Sequence, residues 1–299
     1  MRNIEVKLVI PVLIIRPGPV VKSPTLLDLD LGLAAPEPSA TTGQVLQLHL
    51  NGSEPKPLVT GQAMPDGIDV DRSIGRMFWT AMGGPGAPDG AVYSAKTDGT
   101  DTAVVAAPGV VNTPKQLCLD TQHKQVYLCD RKGLQAIVKR DQADCDVMSW
   151  CVGIAVFPSR GKFYWTQKGP SKGGKGRMFY ADISRLVGDS RSDITCILDN
   201  LPESIDLHIN EKNDKLYWTD RGEIPHGNSL NSISLDAAGI AVKDSTLGPR
   251  PQILCRQFKK AIKLALNSEN DGTFITDHKK FKHMIYKNKH QTFTGIVLV

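Results

Sequence analysis

Seven charged or ionisable side chains stand where loops join predicted strands, and side chains of these types can hold a polar small molecule. Carboxylates accept hydrogen bonds while ammonium and guanidinium groups donate them, so a ring of mixed charge can orient a polarised substrate. The candidate substrate-binding residues are Asp66, Lys115, Lys168, Glu203, Arg221, Glu223 and His226. No nucleophile or general base stands out, so the sequence leaves the catalytic residues undefined.

Other kinds of site fit the sequence less well. Gly169 to Gly173 matches the spacing of a nucleophile elbow, but a predicted strand follows it where that elbow requires a helix. Asp66 and Glu203 provide too few oxygen ligands for a calcium site, and the six cysteines form no Cys-x-x-Cys pair. We therefore predict neither a metal nor another cofactor.

A two-strand pattern recurs along the chain and must position these residues. An apolar strand and a polar turn lead to an aromatic-rich strand that ends in Thr or Asp, which is typical of a β-hairpin. The aromatic-rich copies are Phe78-Trp79-Thr80, Tyr127-Leu128-Cys129-Asp130, Tyr164-Trp165-Thr166, Tyr217-Trp218-Thr219-Asp220 and Phe274-Ile275-Thr276-Asp277. Eleven positions separate the first apolar residue from the Trp position in four copies, and 13 separate Ile205 from Trp218.

Third and fourth strands follow in most copies, and four strands in each repeat of this length indicate propeller blades. A sixth inner strand at Thr294–Val299 ends the chain, and segments 26–31, 44–50 and 57–60 can complete its blade. The prediction is an all-β, six-bladed β-propeller of four-stranded antiparallel blades, closed by N- and C-terminal strands that share one blade. Residues 25–299 form this single domain, and residues 1–24 stay unassigned.

This architecture predicts where the candidate residues lie. Asp66, Lys115 and Glu203 stand two residues before the inner-strand apolar positions, so they should ring the channel entrance. The other four lie in two expanded loops, 167–176 and 221–228, and a third such loop spans 81–90. Loops on a rigid scaffold are common places for binding groups, so we expect one functional face.

The Trp-Thr copies resemble the Tyr-Trp-Thr-Asp repeats of the low-density lipoprotein receptor class B propeller family over about residues 25–299. The resemblance implies the propeller fold and a packing role for the motif tryptophans, but it says little about function. The final Asp is replaced at Ala81 and Gln167, so polar contacts between blades should be uneven. Without accompanying epidermal-growth-factor-like modules, the chain resembles single-domain propellers of fungi and bacteria, some of which are hetero-Diels-Alderases of secondary metabolism.

Composition limits the partners and the location. With 36 basic and 31 acidic residues the net charge is only +5, so we predict no nucleic-acid partner. No apolar stretch is long enough to span a bilayer, so we predict no membrane partner. Pro11 interrupts the apolar run 8–15, which argues against a secretory signal. We expect a cytoplasmic protein with reduced cysteines, and secretion remains an alternative.

Three functions follow from these observations. The first is a small-molecule biosynthetic enzyme that acts by positioning its substrate at the channel mouth, as a pericyclase does. The second is a non-catalytic propeller that binds a protein on the same face. The third is a metal-dependent lactone hydrolase, which would need several channel carboxylates. Whether the chain is an enzyme at all stays open at this point.

Overall fold

The protein consists of short antiparallel strands. The computed structural model describes residues 6–9, 12–15, 30–35, 42–48, 55–84, 86–131, 150–184, 192–223, 226–244, 248–249, 251–256, 258, 261–267, 272–277 and 292–298. In chain order, the first twelve strands are β1 (Val6–Val9), β2 (Val12–Ile15), β3 (Asp30–Ala35), β4 (Gly43–Leu48), β5 (Lys56–Gln62), β6 (Pro65–Asp71), β7 (Arg76–Ala81), β8 (Gly90–Lys96), β9 (Ala103–Val111), β10 (Pro114–Asp120), β11 (Gln125–Asp130) and β12 (Cys151–Phe157). The others are β13 (Lys162–Gln167), β14 (Gly176–Asp182), β15 (Thr195–Leu201), β16 (Ser204–Asn210), β17 (Lys215–Asp220), β18 (Ser229–Ser234), β19 (Lys243–Asp244), β20 (Gly248–Pro249), β21 (Gln252–Cys255), β22 (Ala261–Asn267), β23 (Gly272–Asp277) and β24 (Thr292–Leu298). A single 3-10 turn at Pro158–Arg160 joins β12 to β13.

Most strands belong to four-stranded antiparallel sheets. Three of these sheets are built from strands close in sequence, with the orders β6-β7-β8-β9, β12-β13-β14-β15 and β16-β17-β18-β21. Strands β22 and β23 form a two-stranded sheet, and so do β19 and β20. The third strand that the sequence predicts at residues 284–286 lies outside the described residues. The chain is thus an all-β protein, as predicted.

Two sheets combine distant parts of the chain. Strand β24 pairs with β3 in a sheet of order β24-β3-β4-β5, with Val297 opposite Leu31. The second strand of this sheet is thus Asp30–Ala35, a few residues later than the predicted segment 26–31. In the other sheet, the hairpin β1-β2 pairs with β11, with Ile14 opposite Tyr127. The initially unassigned N-terminal segment therefore contributes two strands.

Strands β6, β10, β12, β16, β22 and β24 each lie at one end of their sheet and will be called the inner strands. In succession, β6 contacts β10, β10 contacts β12, β12 contacts β16, β16 contacts β22, β22 contacts β24 and β24 contacts β6. Each inner strand pairs with the next strand of its hairpin, so its start lies beside the end of that partner. Pro65 faces Ala81 in this way, and Ser204 faces Asp220. The edge where inner strands start will be called the mouth.

The spacing of the copy that contains Trp218 requires a correction. Leu207, and not Ile205, is opposite Trp218, as Ile68 is opposite Trp79 and Ile154 is opposite Trp165. A register shift between Ser204 and Leu207 produces this pairing, and equivalent shifts occur near the starts of the other inner strands. The separation is therefore 11 in this copy too, because Ile205 and Leu207 are both apolar and two positions apart, and the alternating pattern alone does not decide which of them is aligned.

The tryptophans of the repeat belong to the core, as the sequence indicates. Trp79, Trp165 and Trp218 are at most 2% exposed. Trp79 stacks on Tyr93 of the neighbouring strand, with ring centroids 5.8 Å apart, and its Nε1 donates to Gln62. Burial of such large rings stabilises the fold, and stacking on a ring of the neighbouring strand adds to this effect.

The threonine of the repeat connects neighbouring sheets. Thr166 Oγ1 accepts a hydrogen bond from Gly153 N (2.9 Å) and donates one to Ile205 O (2.8 Å) on the next inner strand. Thr80 and Thr219 make the same pair of contacts. All three are fully buried, and inner strands otherwise have an unpaired edge, so each hydroxyl satisfies two backbone groups that water cannot reach.

The aspartate that follows the threonine position was expected to make polar contacts between blades, but it binds backbone amides of nearby loops instead. Asp130 accepts hydrogen bonds from Asn112 N and Thr113 N, and Asp220 accepts them from Glu203 N and Gly222 N. These amides belong to the mouth loops of the same sheet. Loss of the Asp at positions 81 and 167 therefore changes a loop contact and not a contact between sheets.

Substituting Thr166 with valine tests the connection between sheets. Valine has nearly the same shape but leaves Gly153 N and Ile205 O without their partner, so the free energy of unfolding should fall by about 2 kcal/mol. Urea unfolding followed by fluorescence measures this loss. Thr166→Ser keeps the hydroxyl and should lose less than half as much; equal losses in the two variants would contradict the role of the hydroxyl.

Cys129 occupies the position of that threonine in the sheet of β10 and β11. It forms a disulfide with Cys151 at the start of β12, with a Cα–Cα distance of 5.4 Å. Both residues are fully buried. The expectation that all cysteines are reduced is thus wrong, because the threonine position directly faces the next inner strand and brings the two cysteines within bonding range.

Candidate functional site

Charged side chains converge at the mouth around one carboxylate. Glu203 Oε1 accepts hydrogen bonds from Lys168 Nζ (2.9 Å), Arg221 Nη2 (2.8 Å) and Ser171 Oγ (3.0 Å). Lys168 and Arg221 each follow the last residue of a second strand, and Glu203 directly precedes β16. Strand geometry thus brings together residues that lie up to 53 positions apart in the sequence.

The Glu203 cluster is largely removed from water. Glu203 is 4% exposed and Lys168 is 7% exposed. Burial alone would raise the pKa of Glu203, but the hydrogen bonds from Arg221 and Lys168 together hold that pKa below its usual value. Burial lowers the pKa of Lys168, and Glu203 opposes this effect. The cluster consequently keeps its charges as a mutually dependent unit.

A second ion pair lies at the same mouth. Lys115 Nζ is 3.0 Å from Asp66 Oδ2 and 3.1 Å from Met82 Sδ. Asp66 is 3% exposed, and the Gln116 amide reaches its backbone and carboxylate oxygens at 3.4 Å. Asp66 and Lys115 thus pair across neighbouring inner strands, β6 and β10, and they hold a buried charge pair beside the channel.

The mouth also contains a residue pair that the sequence analysis missed. The Arg131 guanidinium lies 3.4 Å from the centroid of the Trp150 ring, and Lys168 Nζ lies 5.7 Å from the same ring. Arg131 directly follows β11, so its position is equivalent to those of Lys168 and Arg221. Comparing the residue two positions after the threonine position of each copy, which is Lys168, Arg221 and, after Cys129, Arg131, would have identified Arg131 from the sequence.

The remaining two predicted residues do not join these clusters. Glu223 pairs with Lys172 at 2.9 Å, where both side chains are more than half exposed. His226 is exposed, and its backbone oxygen accepts a hydrogen bond from Ser229 Oγ. Glu203 lies four residues before Leu207, the aligned apolar residue, whereas Asp66 and Lys115 lie two residues before Ile68 and Leu117.

A separate cavity of about 220 Å³ lies between the inner strands beyond the mouth. Its ionisable lining residues are Asp69, Cys118, His208, Glu211 and Lys263. None of the seven predicted residues lines it. Asp69, Cys118 and His208 occupy the same position on three inner strands, one residue after the aligned apolar residue, and this shared position is the sequence signal that could have revealed them.

Two carboxylates beside the cavity accept hydrogen bonds from backbone amides of a neighbouring inner strand. Asp69 Oδ2 accepts from Leu119 N (2.9 Å), and Asp206 Oδ2 accepts from Leu264 N (2.9 Å). Lys263 Nζ lies 3.5 Å from Asp206 Oδ1. Burial raises the pKa of both carboxyls, that of Asp206 to about 6, and Lys263 opposes the shift in each. These carboxylates thus have a structural role.

His208 should make the protein sensitive to acid. Burial in the cavity, helped by the charge of Lys263, lowers its pKa to about 4. The unfolded chain takes up a proton near pH 6.5 whereas the folded protein does not, so this contribution to stability is lost as pH falls from about 6.5 towards 4. Relative to His208→Gln, the wild type should lose about 2 kcal/mol between pH 7 and pH 4.5.

Urea unfolding at a series of pH values measures this difference. His226→Gln serves as the matched control, because His226 is exposed. If the pH dependence of the wild type were unchanged in His208→Gln, folding would not lower the pKa of His208, and the prediction would be wrong.

Among the described residues, no three His, Cys, Asp or Glu side chains are grouped closely enough to hold a metal ion. The described part of the chain also contains no helix with the length and apolar character of a membrane span.

Comparison with solved structures identifies the class of fold. A family AA12 carbohydrate-active enzyme of Trichoderma reesei superposes with a TM-score of 0.55 at 10% identity, over 85% of this chain and 92% of that one. A protein described as a candidate 6-phosphogluconolactonase, from Bacteroides uniformis ATCC 8492, gives 0.51 at 9% identity, over 85% and 76%. With the observed sheets, these likenesses define an all-β protein with a propeller-like fold.

Two fungal proteins are much closer in sequence. The low-density lipoprotein receptor-related protein 1 of Pyricularia oryzae is 38% identical over 274 residues, covering 84% of this chain and 87% of that protein. The chain belongs to the family of this protein. The 3-hydroxyacyl-CoA dehydrogenase-like protein LAM1 of Cochliobolus heterostrophus is 38% identical over 275 residues, and the chain spans 58% of its length. The chain matches no family model.

Proposed function

We propose that the protein is a small-molecule enzyme whose substrate binds at the mouth, on a six-bladed propeller closed by β24 against β3. The succession of contacts from β6 to β24 and back to β6 supports six blades around one channel. As part of this proposal, we assign the repeats of the chain to the Tyr-Trp-Thr-Asp type. Propellers carry many unrelated functions, so the mouth residues and not the fold must support the activity.

The observation that carries the proposal is the Glu203 cluster. Two cations and a hydroxyl converge on one carboxylate oxygen, although removing these charges from water is costly. Hydrophobic residues of similar size would serve stability as well or better. Buried charged groups with shifted pKa values beside an opening are therefore candidates for substrate binding.

The cluster suits catalysis by positioning. Lys168 and Arg221 can donate hydrogen bonds to an oxygen of a conjugated carbonyl compound and thereby make it more electrophilic. Holding an alkene against such a compound converts a bimolecular addition into an effectively unimolecular one. We infer a pericyclase of the hetero-Diels-Alderase kind, which requires no nucleophile. Names of similar proteins support an enzyme in general terms, since LAM1 is described as dehydrogenase-like.

The test combines activity with matched substitutions. Purified protein is incubated with quinone-methide and polyene partners, and the product ratio is compared with that of a buffer control. We expect the protein to change both rate and ratio, and Lys168→Met to lower the rate by roughly 100-fold. Lys172→Met, in the same loop but exposed, is the control and should leave the rate unchanged. A product ratio identical to the buffer control would overturn the proposal.

The second candidate is a protein-binding propeller, which the receptor-related name of the Pyricularia oryzae protein favours. A protein partner needs a wide accessible patch, whereas Lys168, Glu203 and Asp66 are each less than 8% exposed. The enzyme hypothesis therefore agrees better with the geometry. The lactone hydrolase is a weaker candidate, because likeness to a lactonase at 9% identity concerns the fold alone.

A further inference from the structure

Arg131 differs from the other cations of the mouth. Lys115 pairs with Asp66, and Lys168 and Arg221 share Glu203. Within the part of the chain that the structure describes, no carboxylate lies within ion-pair distance of Arg131. Lys115, Lys168 and Arg221 thus each have a carboxylate at ion-pair distance among the described residues, and Arg131 does not.

The surroundings of Arg131 make the lack of an ion-pair partner costly. Its Nε atom is buried without a hydrogen-bond partner, and its guanidinium stacks on Trp150. Partial burial, reinforced by the positive charge of Arg221, lowers the pKa of Arg131, and the negative charge of Asp66 opposes this to a smaller extent. A guanidinium that has lost part of its hydration, and that no carboxylate of the described residues pairs with, is available for charge-assisted hydrogen bonds.

We propose that Arg131, held against Trp150, is an oxyanion-binding residue, and that the ligand of the mouth carries a carboxylate or phosphate group. The planar guanidinium can bind either group with two parallel hydrogen bonds. Lys168 lies on the same indole ring and adds positive charge beside the bound anion. Stacking on Trp150 holds the guanidinium in one orientation before the ligand binds, so less side-chain entropy is lost on binding. The inference rests on the proposed function for the location of the site and adds a substrate class.

Binding can be measured without turnover. Benzoate, inorganic phosphate and the neutral benzamide are titrated into the full chain at low ionic strength by calorimetry, with Trp150 fluorescence as a second signal. We expect benzoate or phosphate to bind, benzamide not to bind, and affinity to fall with added salt. Comparing benzoate with phosphate identifies which oxyanion is preferred.

Substitutions assign the binding to Arg131. Arg131→Gln should weaken binding of the preferred anion by roughly 10-fold to 100-fold, because it removes charge-assisted hydrogen bonds. Arg131→Lys keeps the charge without the planar fork and should lose less. Arg160→Gln, in a partly exposed pair with Asp214, is the matched control and should bind as the wild type does. Circular dichroism confirms that each variant is folded.

The outcomes separate the two proposals. Absence of anion binding in the wild type, or equal binding in wild type and Arg131→Gln, would overturn the oxyanion site even if the protein proved to be a cyclase. Anion binding that depends on Arg131 in a protein without cyclase activity would retain the site and reject the proposed reaction.

Discussion

Replacing Lys263 with methionine should lower the free energy of unfolding by roughly 3 to 5 kcal/mol at pH 8, because it leaves buried carboxylates without their cation. Lys263 is 7% exposed, and Asp206 beside it is fully buried. The positive charge of Lys263 also opposes the raised pKa of Asp69. Methionine fills a similar volume, so the loss measures charge and not packing.

The loss should grow with pH. In the wild type, folded Asp206 keeps its proton up to about pH 6 whereas the unfolded chain loses it near pH 4, so the stability associated with this proton falls as pH rises through that window. Removing Lys263 raises the pKa of Asp206 further and extends the window upwards. Urea unfolding of Lys263→Met should therefore show a smaller loss at pH 5 than at pH 8.

The double variant Lys263→Met with Asp206→Asn is the control. Asparagine is neutral, and its side-chain oxygen can still accept from Leu264 N, so the double variant should recover part of the lost stability. If the double variant were less stable than Lys263→Met at pH 8, the uncompensated carboxylate would not be the cause.

Reducing the Cys129–Cys151 disulfide should lower the free energy of unfolding by about 3 kcal/mol, the chain-entropy value for a loop of this length. The two cysteines are 22 positions apart in the sequence. The bond joins neighbouring sheets at the position where Thr80, Thr166 and Thr219 act elsewhere. Unfolding with and without dithiothreitol measures the effect, and a thiol count on the denatured, unreduced protein should give no more than four of the six.

Cys129→Thr distinguishes the covalent bond from the position it occupies. Threonine restores the hydroxyl that the other sheets use, so this variant should be more stable than Cys129→Ala by about 1 kcal/mol and insensitive to dithiothreitol. Equal stability of the two variants would show that this position contributes through the disulfide alone. A wild-type stability unaffected by the reductant would contradict a disulfide in the folded protein.

Local patterns predicted much of the architecture. Alternating apolar residues located the hairpins, since side chains alternate between the two faces of a strand. The fully buried Trp79 and Thr80 confirm the structural interpretation of the repeat. The register of β16 could not be decided from the pattern, because Ile205 and Leu207 are both apolar and two positions apart, and pairing with β17 selects Leu207.

The residues of the mouth were predicted in part, whereas the buried ionisable residues between the inner strands were not. Lys168, Glu203 and Arg221 were selected for their place at loop ends, and the structure brings them within hydrogen-bond distance. Arg131 was missed because single charges near strand ends are common. Asp206 and Lys263 looked like ordinary strand residues, since a sequence does not show which strand edges face each other.

By itself, the sequence determined the strands, the repeat and the loop ends that carry charged residues at the mouth, because these depend on spacing over a few residues. The tertiary structure decided which charges meet, which lose their water and which remain unpaired. The oxyanion proposal for Arg131 depends on that last distinction. Hydration and pairing depend on strands that are tens of residues apart in the chain and become neighbours only after the sheets have packed together.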